Sequence, residues 1–429
     1  MNSIFSHKPS ARGRPISLEL PVAQAARRPH WINATRLRLY PMVALTCYLI
    51  FLVIYVYRAV WLQRADVGPL AMDFLPIWSA SFLAMHGHAP DAYNLHALSV
   101  VEFNTVPYSS TIGGILPWLY PPNTLLFVAP LSLLPYKAAA VAFAGGSLAL
   151  FVHAVHKIMP GRDTVLIALA FPGAALVIMV GQNGLLTAAL AAFGLLALPR
   201  RPLVAGLCFG LLCMKPHLVL LFPLALLCSR SWRALVAFAL TAAMTLVLAA
   251  LVFGTQTYTA FLHNTVAAAG IVESGHAVMG LGRIPTVFAL FKLAHAPTSL
   301  AAASQGISAL LAAAAVVYAW RDDCSYPLRA AALVCASLLV SPYLYDYDLA
   351  WYGVVIAWYC RFATHRGWQR WEREWMVVLW LAPLAGLFVM VHLSLQLLPL
   401  VSAGTLAMVT RRIALERRSA PVIQRDVNQ

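Results

Sequence analysis

Polar side chains that could take part in a reaction are few in this chain, and most stand alone beside long apolar runs. Asp73 follows the first apolar run, and the aromatic residues Phe74 and Trp78 stand close to it in the sequence. A carboxylate that is partly shielded from water is suited to accept a proton, and aromatic neighbours suit a sugar or a lipid headgroup. Asp73 is therefore a candidate for accepting a proton; the alternative is an aspartate that is simply solvated at a membrane interface.

A second set of polar residues interrupts apolar runs. Gln182 and Asn183 separate two such runs, and Lys215 breaks another. A charged residue at the centre of a bilayer costs at least about 2.5 to 3.5 kcal/mol, so it usually serves a function. We predict that Lys215 pairs with a phosphate group; the alternative is that its side chain extends to the membrane interface. For Gln182 and Asn183, substrate binding and a simple turn both remain open.

Further candidates lie close to the predicted ends of apolar helices. Asp346 and Asp348 are two residues apart at a predicted helix start, where a carboxylate caps the helix and interacts favourably with its dipole. One of them suffices for capping, which leaves the other to face a cavity. Tyr120 is either an interfacial anchor or part of a site. His276 and Arg283 lie in a later polar stretch, and the planar guanidinium of an arginine suits phosphate oxygens.

The composition excludes a water-soluble fold. Of the 429 residues, 61% are hydrophobic and 10% are charged, whereas soluble domains contain about 25% charged residues. A span needs roughly 20 apolar residues, so the apolar runs suffice for about eleven to thirteen crossings. Several runs between residues 120 and 227 are too short to cross upright, which predicts broken or re-entrant helices. We predict an all-α polytopic membrane protein with one domain.

The net charge of +15 reflects membrane topology, since basic residues concentrate in the tails and in short loops. No nucleic-acid partner is predicted, and the positive-inside rule places both ends in the cytoplasm of a bacterial inner-membrane protein. We expect the first apolar run to be a retained anchor. We assign residues 1–38 and 411–429 as basic cytoplasmic tails and 39–410 as the membrane domain. Within it, residues 62–118 form a loop outside the cytoplasm, built from amphipathic helices on the membrane surface.

No cofactor or metal is predicted from the sequence. The seven cysteines include no CxxC pair, and no carboxylate or histidine cluster has the spacing of metal ligands. A glycine-rich nucleotide loop is also missing from the sequence. A soluble nucleotide-sugar donor is therefore not expected.

Five short motifs follow one another along the chain. They are Asp73 after the first span, Leu119-Tyr120-Pro121-Pro122, Gly181-Gln182-Asn183, Lys215-Pro216, and Ser341-Pro342 followed by Asp346. Taken in this order, the motifs resemble glycosyltransferase family 87 of the membrane-embedded GT-C superfamily. The resemblance extends from about residue 40 to 410, and the family includes mycobacterial polyprenol-phosphate-mannose-dependent alpha-mannosyltransferases.

This resemblance implies a GT-C-like bundle with a polyprenyl-phosphate-hexose or -pentose donor and a lipid or glycan acceptor on the periplasmic face. The family uses an acid in the first extracytoplasmic loop as the base, and Asp73 matches that position. Lys215, His276 and Arg283 are then candidates for binding the donor phosphate, with Gln182 and other polar residues as further substrate contacts. The mycobacterial branch continues into Asp-His-His where this chain has Asp346-Tyr347-Asp348, so its mannose and phosphoinositide substrates are not carried over.

Two other classes of function fit the pattern less well. Broken helices and polar residues at the bilayer midplane also suit a transporter or flippase of a lipid-linked or small polar solute. The chain has no convincing internal repeat, and an acid in a long outer loop fits an external active site better. A noncatalytic scaffold would give the polar residues no purpose. The pattern predicts no particular sugar, acceptor or oligomeric state.

Overall fold

The apolar runs fold into helices, because a backbone in lipid must satisfy its hydrogen bonds internally. The computed structural model describes residues 30–62, 64, 70–106, 116–273, 278–322 and 324–419. Their regular structure is helical, with no strand among them, which confirms the predicted all-α fold. The first ten α-helices are α1 (Ala34–Val56), α2 (Leu75–Met85), α3 (Leu95–Thr105), α4 (Leu125–Val128), α5 (Tyr136–Ile158), α6 (Arg162–Leu169), α7 (Pro172–Val180), α8 (Gly184–Ala197), α9 (Pro202–Leu211) and α10 (Pro216–Val219). The next ten are α11 (Leu221–Cys228), α12 (Trp232–Phe253), α13 (Gln256–Glu273), α14 (Val278–Gly282), α15 (Val287–Leu293), α16 (Thr298–Arg321), α17 (Tyr326–Ser337), α18 (Trp351–Arg366), α19 (Glu372–Leu393) and α20 (Leu398–Ser419).

Six helices of the described chain are long and apolar enough to cross a membrane, namely α1, α5, α12, α16, α19 and α20. A seventh crossing results if the bent pair α6 and α7 counts as one span. The sequence predicted about eleven to thirteen crossings. The difference arises because other apolar runs form helices of only 10–17 residues, which are too short to span a bilayer alone. The protein is therefore a multi-pass membrane protein with many short helices.

The broken helices predicted between residues 120 and 227 are present. Helices α6 and α7 meet at an angle of 44°. Phe171 has φ −59° and ψ 120°, which is not helical, because Pro172 disfavours the helical conformation in the residue before it. Lys215 has φ −130° and ψ 78° ahead of Pro216 for the same reason. Each proline thus ends one helix and starts another within an apolar run.

Helices α9 and α12 pack closely because α9 carries two glycines four residues apart. A Cβ on Gly206 would lie 2.4 Å from the carbonyl oxygen of Ala234, and one on Gly210 would lie 2.5 Å from Cβ of Thr241. Small residues at this spacing let transmembrane helices approach backbone to backbone. By contrast, only 6% of the α1 span is buried, so α1 presents its apolar side chains to lipid.

The described part of the first loop is helical and forms its own hydrophobic cluster. Eight of the eleven residues of α2 are buried, so α2 packs against other parts of the protein on most of its sides. The cluster joins Phe74, Ile77 and Leu98 to Trp118 and Leu125 near the start of α4. A larger cluster contains most of the helices from α5 to α20. The polar residues described below lie where the two clusters meet.

The last helix continues beyond the predicted membrane boundary. Helix α20 reaches Ser419, so the first nine residues of the segment 411–429 are helical. Arg412 is buried there, with Nη1 3.4 Å from Glu372 Oε1 and Nη2 donating to the carbonyl of Gly367 at 2.7 Å. This ion pair attaches the end of α20 to the start of α19.

Glu102 on α3 is a buried carboxyl group in the first loop. The residue is 1% exposed, and its Oε1 has no hydrogen-bond partner among the described residues. Burial raises the pKa of Glu102 to about 7, although a hydrogen bond with the Leu116 backbone opposes the shift. The folded protein therefore keeps a proton on Glu102 at a pH where the unfolded chain has lost it.

We expect the stability of the protein to fall as pH rises from about 5 to 8, and Glu102→Gln to remove this dependence. An unfolded glutamate ionises near pH 4.5, whereas folded Glu102 ionises near 7, so folding takes up a proton between these values. The effect is on the order of 2 kcal/mol at pH 8. Thermal unfolding of both proteins in detergent at pH 5, 6.5 and 8 measures it. Parallel curves of Tm against pH for the two proteins would contradict the assignment.

Candidate active site

Arg283, between α14 and α15, lies at the centre of a network of charged side chains. Its Nη2 and Nη1 donate hydrogen bonds to Asp73 Oδ2 and Oδ1 at 2.8 and 3.3 Å. Its Nε and Nη2 donate to Asp346 Oδ2 and Oδ1 at 3.1 and 3.2 Å. Burial disfavours the guanidinium charge, but the attraction of Asp346 and the hydrogen bonds to Asp73 outweigh it and raise the pKa of Arg283. Two carboxylates thus hold one cation between them.

Asp73 is positioned by a 3-10 turn, Met72–Phe74, that leads into α2. The backbone N–H of Ala71 donates to the carbonyl of Met179 at 2.8 Å, which attaches this turn to the end of α7. Gly181 follows α7 with φ +81°, and a Cβ there would lie 2.8 Å from Cα of Ala71. Glycine is suited to both the positive φ and the close approach. The end of α7 therefore fixes the place of Asp73.

Asp346 and Asp348 lie in a 3-10 helix, Asp346–Ala350, that leads into α18. Asp346 Oδ1 accepts a hydrogen bond from the N–H of Tyr347 at 2.8 Å, and Asp348 Oδ2 accepts one from the N–H of Tyr345 at 3.3 Å. Both carboxylates therefore cap the start of this helix, although one of them would suffice for capping. The two aspartates are 5% and 0% exposed, so each needs a nearby cation.

Lys215 is the cation that pairs with Asp348. Its ammonium donates to Asp348 Oδ1 at 2.6 Å, and the two side chains are 3% and 1% exposed. His217 Nε2 lies 3.8 Å from the other oxygen of the same carboxylate. The ammonium also lies 4.4 Å from the ring centre of Tyr347 and 5.7 Å from that of Tyr120. Lys215 is thus held inside the protein and does not extend to the membrane interface.

The turn at residues 181–184 lies between these two groups of charges. Tyr120 donates its hydroxyl hydrogen to Gln182 Oε1 at 2.7 Å, and Gln182 Nε2 lies 3.5 Å from the backbone oxygen of Asp73. A Cβ on Gly184 would lie 2.1 Å from the backbone oxygen of Tyr347, so the start of α8 touches the aspartate segment. The turn is therefore structural, and it also carries polar side chains into the site.

A comparison with known protein families matches residues 118–342 to glycosyltransferase family 87. This segment is just over half of the 429 residues. The chain belongs to glycosyltransferase family 87. No curated protein and no solved structure matches it. The family and the apolar helices together identify a membrane glycosyltransferase, in agreement with the resemblance seen in the motifs.

Eight of the nine predicted site residues of this family 87 protein belong to one contact network. Its hydrogen bonds form two groups, which are connected where the Lys215 ammonium lies 5.7 Å from the ring centre of Tyr120. His276 lies outside the described residues. Asp73, Asp346 and Asp348 lie outside the matched segment, but hydrogen bonds connect them to Arg283 and Lys215 within it. The eight residues are Asp73, Tyr120, Gln182, Asn183, Lys215, Arg283, Asp346 and Asp348.

Two further residues of this family 87 protein, Tyr347 and His217, lie beside the charged side chains and were not predicted from the sequence. The ring of Tyr347 lies 4.4 Å from the Lys215 ammonium and 5.9 Å from the centre of the Arg283 guanidinium, and thus lies close to both cations. His217 faces Asp348. The available signals were the alternation of tyrosine and aspartate at residues 345–348 and a histidine two residues after Lys215. In the described part of the chain, no three His, Cys, Asp or Glu side chains are grouped to share a metal ion.

We expect Lys215→Met to destabilise this glycosyltransferase by about 3 to 5 kcal/mol, because it leaves the buried Asp348 without its cation. The double variant Lys215→Met with Asp348→Leu removes both charges and should regain much of that loss. Unfolding in detergent, followed by intrinsic fluorescence, measures the stability of each variant.

The control for these Lys215 and Asp348 variants is the exposed ion pair between Arg38 and Asp163. Arg38 Nε lies 2.8 Å from Asp163 Oδ1, but the side chains of Arg38 and Asp163 are 60% and 38% exposed. Arg38→Gln should change stability by less than about 1 kcal/mol. Equal losses from Lys215→Met and Arg38→Gln would show that burial adds nothing to the Lys215–Asp348 pair.

Proposed function

We propose that this membrane glycosyltransferase transfers a hexose or pentose from a polyprenyl-phosphate donor to a lipid or glycan acceptor. The observation that carries the proposal is Arg283, a cation suited to a phosphate, in contact with Asp73, a carboxylate suited to act as a base. Membership of family 87 supports transfer of a sugar. A lipid-linked donor fits an active site that is built among apolar helices.

We further propose that the reaction takes place on the periplasmic face of a bacterial inner membrane. The basic residues near both ends of the chain support cytoplasmic termini. With the termini placed there, residues 1–38 and 411–429 flank a catalytic domain at 39–410. Residues 62–118, which carry Asp73, then lie on the periplasmic side.

In the proposed reaction, Asp73 removes the proton from the acceptor hydroxyl. The acceptor oxygen attacks the anomeric carbon from the side opposite the phosphate, so that the new glycosidic bond forms as the bond to phosphate breaks. The leaving phosphate takes the bonding electron pair, and the anomeric configuration is inverted. In an oxocarbenium-like transition state most of the bond breaking comes first, so proton transfer to a carboxylate can be late.

The leaving phosphate gains negative charge, which a nearby cation stabilises. Arg283 is our main candidate, because its planar guanidinium can bind two phosphate oxygens and it is already next to Asp73. Lys215 is paired with Asp348, so we assign it a supporting charge and not a direct phosphate bond. His276 remains a candidate for the phosphate by residue type.

The polar residues around Tyr120 are proposed to bind the sugar. Asn183 is 2% exposed and its Oδ1 has no hydrogen-bond partner among the described residues. A buried oxygen of this kind favours a hydroxyl donor. Gln182 and Tyr120, joined at 2.7 Å, extend the same polar surface.

Transfer from radiolabelled donors to a cell-envelope lipid extract tests the proposal. The purified protein is incubated with a panel of polyprenyl-phosphate sugars and, in parallel, with nucleotide sugars. We expect labelled product from at least one lipid-linked donor and none from the nucleotide sugars. Product from nucleotide sugars alone would contradict the donor class. If no donor reacts and proteoliposomes instead show flux of a lipid or solute, the protein is a transporter or flippase.

A further inference from the structure

The guanidinium of Arg283 has almost no hydrogen-bonding capacity left for a phosphate. An arginine has five N–H donors in a fixed plane. Four hydrogen bonds run from Arg283 to the two carboxylates, two to Asp73 and two to Asp346. A phosphate needs two parallel N–H groups for a bidentate contact. It can gain such a contact only if one carboxylate leaves Arg283.

Asp346 is the carboxylate that is held more firmly. Its Oδ1 also accepts the N–H of Tyr347 at 2.8 Å, and its own N–H donates to the backbone oxygen of Arg283 at 2.8 Å. The side chain of Asp346 is 7% exposed, against 14% for that of Asp73. Among the described residues, Arg283 is the one hydrogen-bond partner of the Asp73 carboxylate. Asp73 can therefore leave with the loss of fewer bonds.

We propose that the donor phosphate displaces Asp73 from Arg283, so that the base becomes available only when the donor is bound. This inference rests on the proposed function. In the structure both oxygens of Asp73 accept hydrogen bonds from Arg283, which compete with an acceptor hydroxyl for the same lone pairs. Asp346 is a positioning residue. It keeps its hydrogen bonds from Nε and Nη2 of Arg283, while the N–H groups of Nη1 and Nη2 that face Asp73 bind the phosphate instead.

The exchange of Asp73 for the donor phosphate on Arg283 makes donor binding precede proton removal, and its reversal favours release of the lipid phosphate. Donor binding frees Asp73, which then meets the acceptor hydroxyl and takes its proton as the glycosidic bond forms. The lipid phosphate leaves with the electron pair and gains a second negative charge, which keeps Arg283 bound to it. When Asp73 loses its proton to water, the carboxylate competes for Arg283 again and favours release of the lipid phosphate.

Binding of a short-chain polyprenyl monophosphate to wild type, Asp73→Asn and Asp346→Asn tests the exchange without turnover. Asp73→Asn removes the competing charge, so a larger fraction of the protein has Arg283 free to bind phosphate, and we expect the affinity to rise about tenfold. Asp346→Asn loosens Arg283 and lowers that fraction, so its affinity should fall about tenfold. Titration calorimetry in detergent gives the dissociation constants, and Tm values show whether each variant is folded. Asp73→Ala is a second variant that removes the same charge.

The two aspartate variants separate exchange from simple charge repulsion. Both remove one negative charge within hydrogen-bond distance of Arg283, so repulsion alone would tighten binding in both variants. That result would overturn the proposal, as would unchanged or weaker binding by Asp73→Asn and Asp73→Ala. If the wild type does not bind the lipid phosphate at all, the proposed donor class fails. If the wild type binds it but Asp73→Asn does not tighten binding, the exchange alone fails.

Discussion

Asp73→Asn is expected to lower the rate of sugar transfer by about a thousandfold, within the range of general base catalysis. Asparagine has nearly the shape of aspartate but cannot take the acceptor proton. The Asp73 side chain is 14% exposed and lies outside the tightly packed core, so the variant should fold. Single-turnover transfer from a polyprenyl-phosphate sugar measures the chemical step directly.

Asp163→Asn is a matched control for this variant, because Asp163 also pairs with an arginine at 2.8 Å. Asp163 binds Arg38 and, in the described part of the chain, has no hydrogen bond or ion pair with Arg283, Asp73 or Asp346, so its replacement should leave transfer unchanged. Transfer by Asp73→Asn at the rate of the Asp163→Asn control would rule out Asp73 as the base. Loss of transfer in both variants would point to a general effect on folding.

The helical fold and the types of the site residues were predictable from the sequence, but the pairing of those residues was not. Arg283 and Asp73 are 210 residues apart in the chain, and Lys215 and Asp348 are 133 apart. Apolar runs predict helices because lipid leaves the backbone no other partner. No local pattern states which carboxylate each cation meets. That depends on how α7, α8 and α18 pack.

The role predicted for Lys215 shows how tertiary contacts modify a prediction made from residue type. Its position within an apolar run indicated a buried charge, and the side chain is buried. No local pattern around Lys215 favours Asp348 over a substrate phosphate as its partner. The 3-10 helix at residues 346–350 directs Asp346 towards Arg283 and Asp348 towards Lys215, and a two-residue spacing alone does not predict that separation. Three carboxylates and two cations therefore share the site.

The number of crossings was harder to predict than the helices themselves. Pro172 and Pro216 divide apolar runs that hydropathy alone predicts to be membrane spans. The resulting breaks interrupt apolar segments with polar backbone and side chains, which lipid tolerates only if they are buried in protein. Lys215 at such a break is an example, since its partner Asp348 lies 2.6 Å away.

Arg283→Gln is expected to lower kcat/KM by about a hundredfold to a thousandfold, the usual loss when one group that stabilises developing negative charge is removed. Glutamine cannot neutralise the leaving phosphate, and it leaves Asp73 and Asp346 without their shared cation. Arg283→Lys should recover only part of the activity, because a single ammonium lacks the planar fork that binds two oxygens. Steady-state transfer over a range of donor concentrations measures kcat and KM for both variants.

Arg361→Lys is the control for Arg283→Lys, since Arg361 donates to the carbonyl of Ile158 at 3.0 Å and belongs to no contact of the site. Activity near that of wild type is expected for Arg361→Lys. If Arg283→Lys were as active as this control, a positive charge alone would suffice and bidentate phosphate binding by Arg283 would be wrong. A loss confined to KM would mean that Arg283 binds the donor equally in the ground state and the transition state, so that another cation must stabilise the leaving phosphate. A loss in both kcat and kcat/KM supports Arg283 as the group that stabilises the charge as it develops.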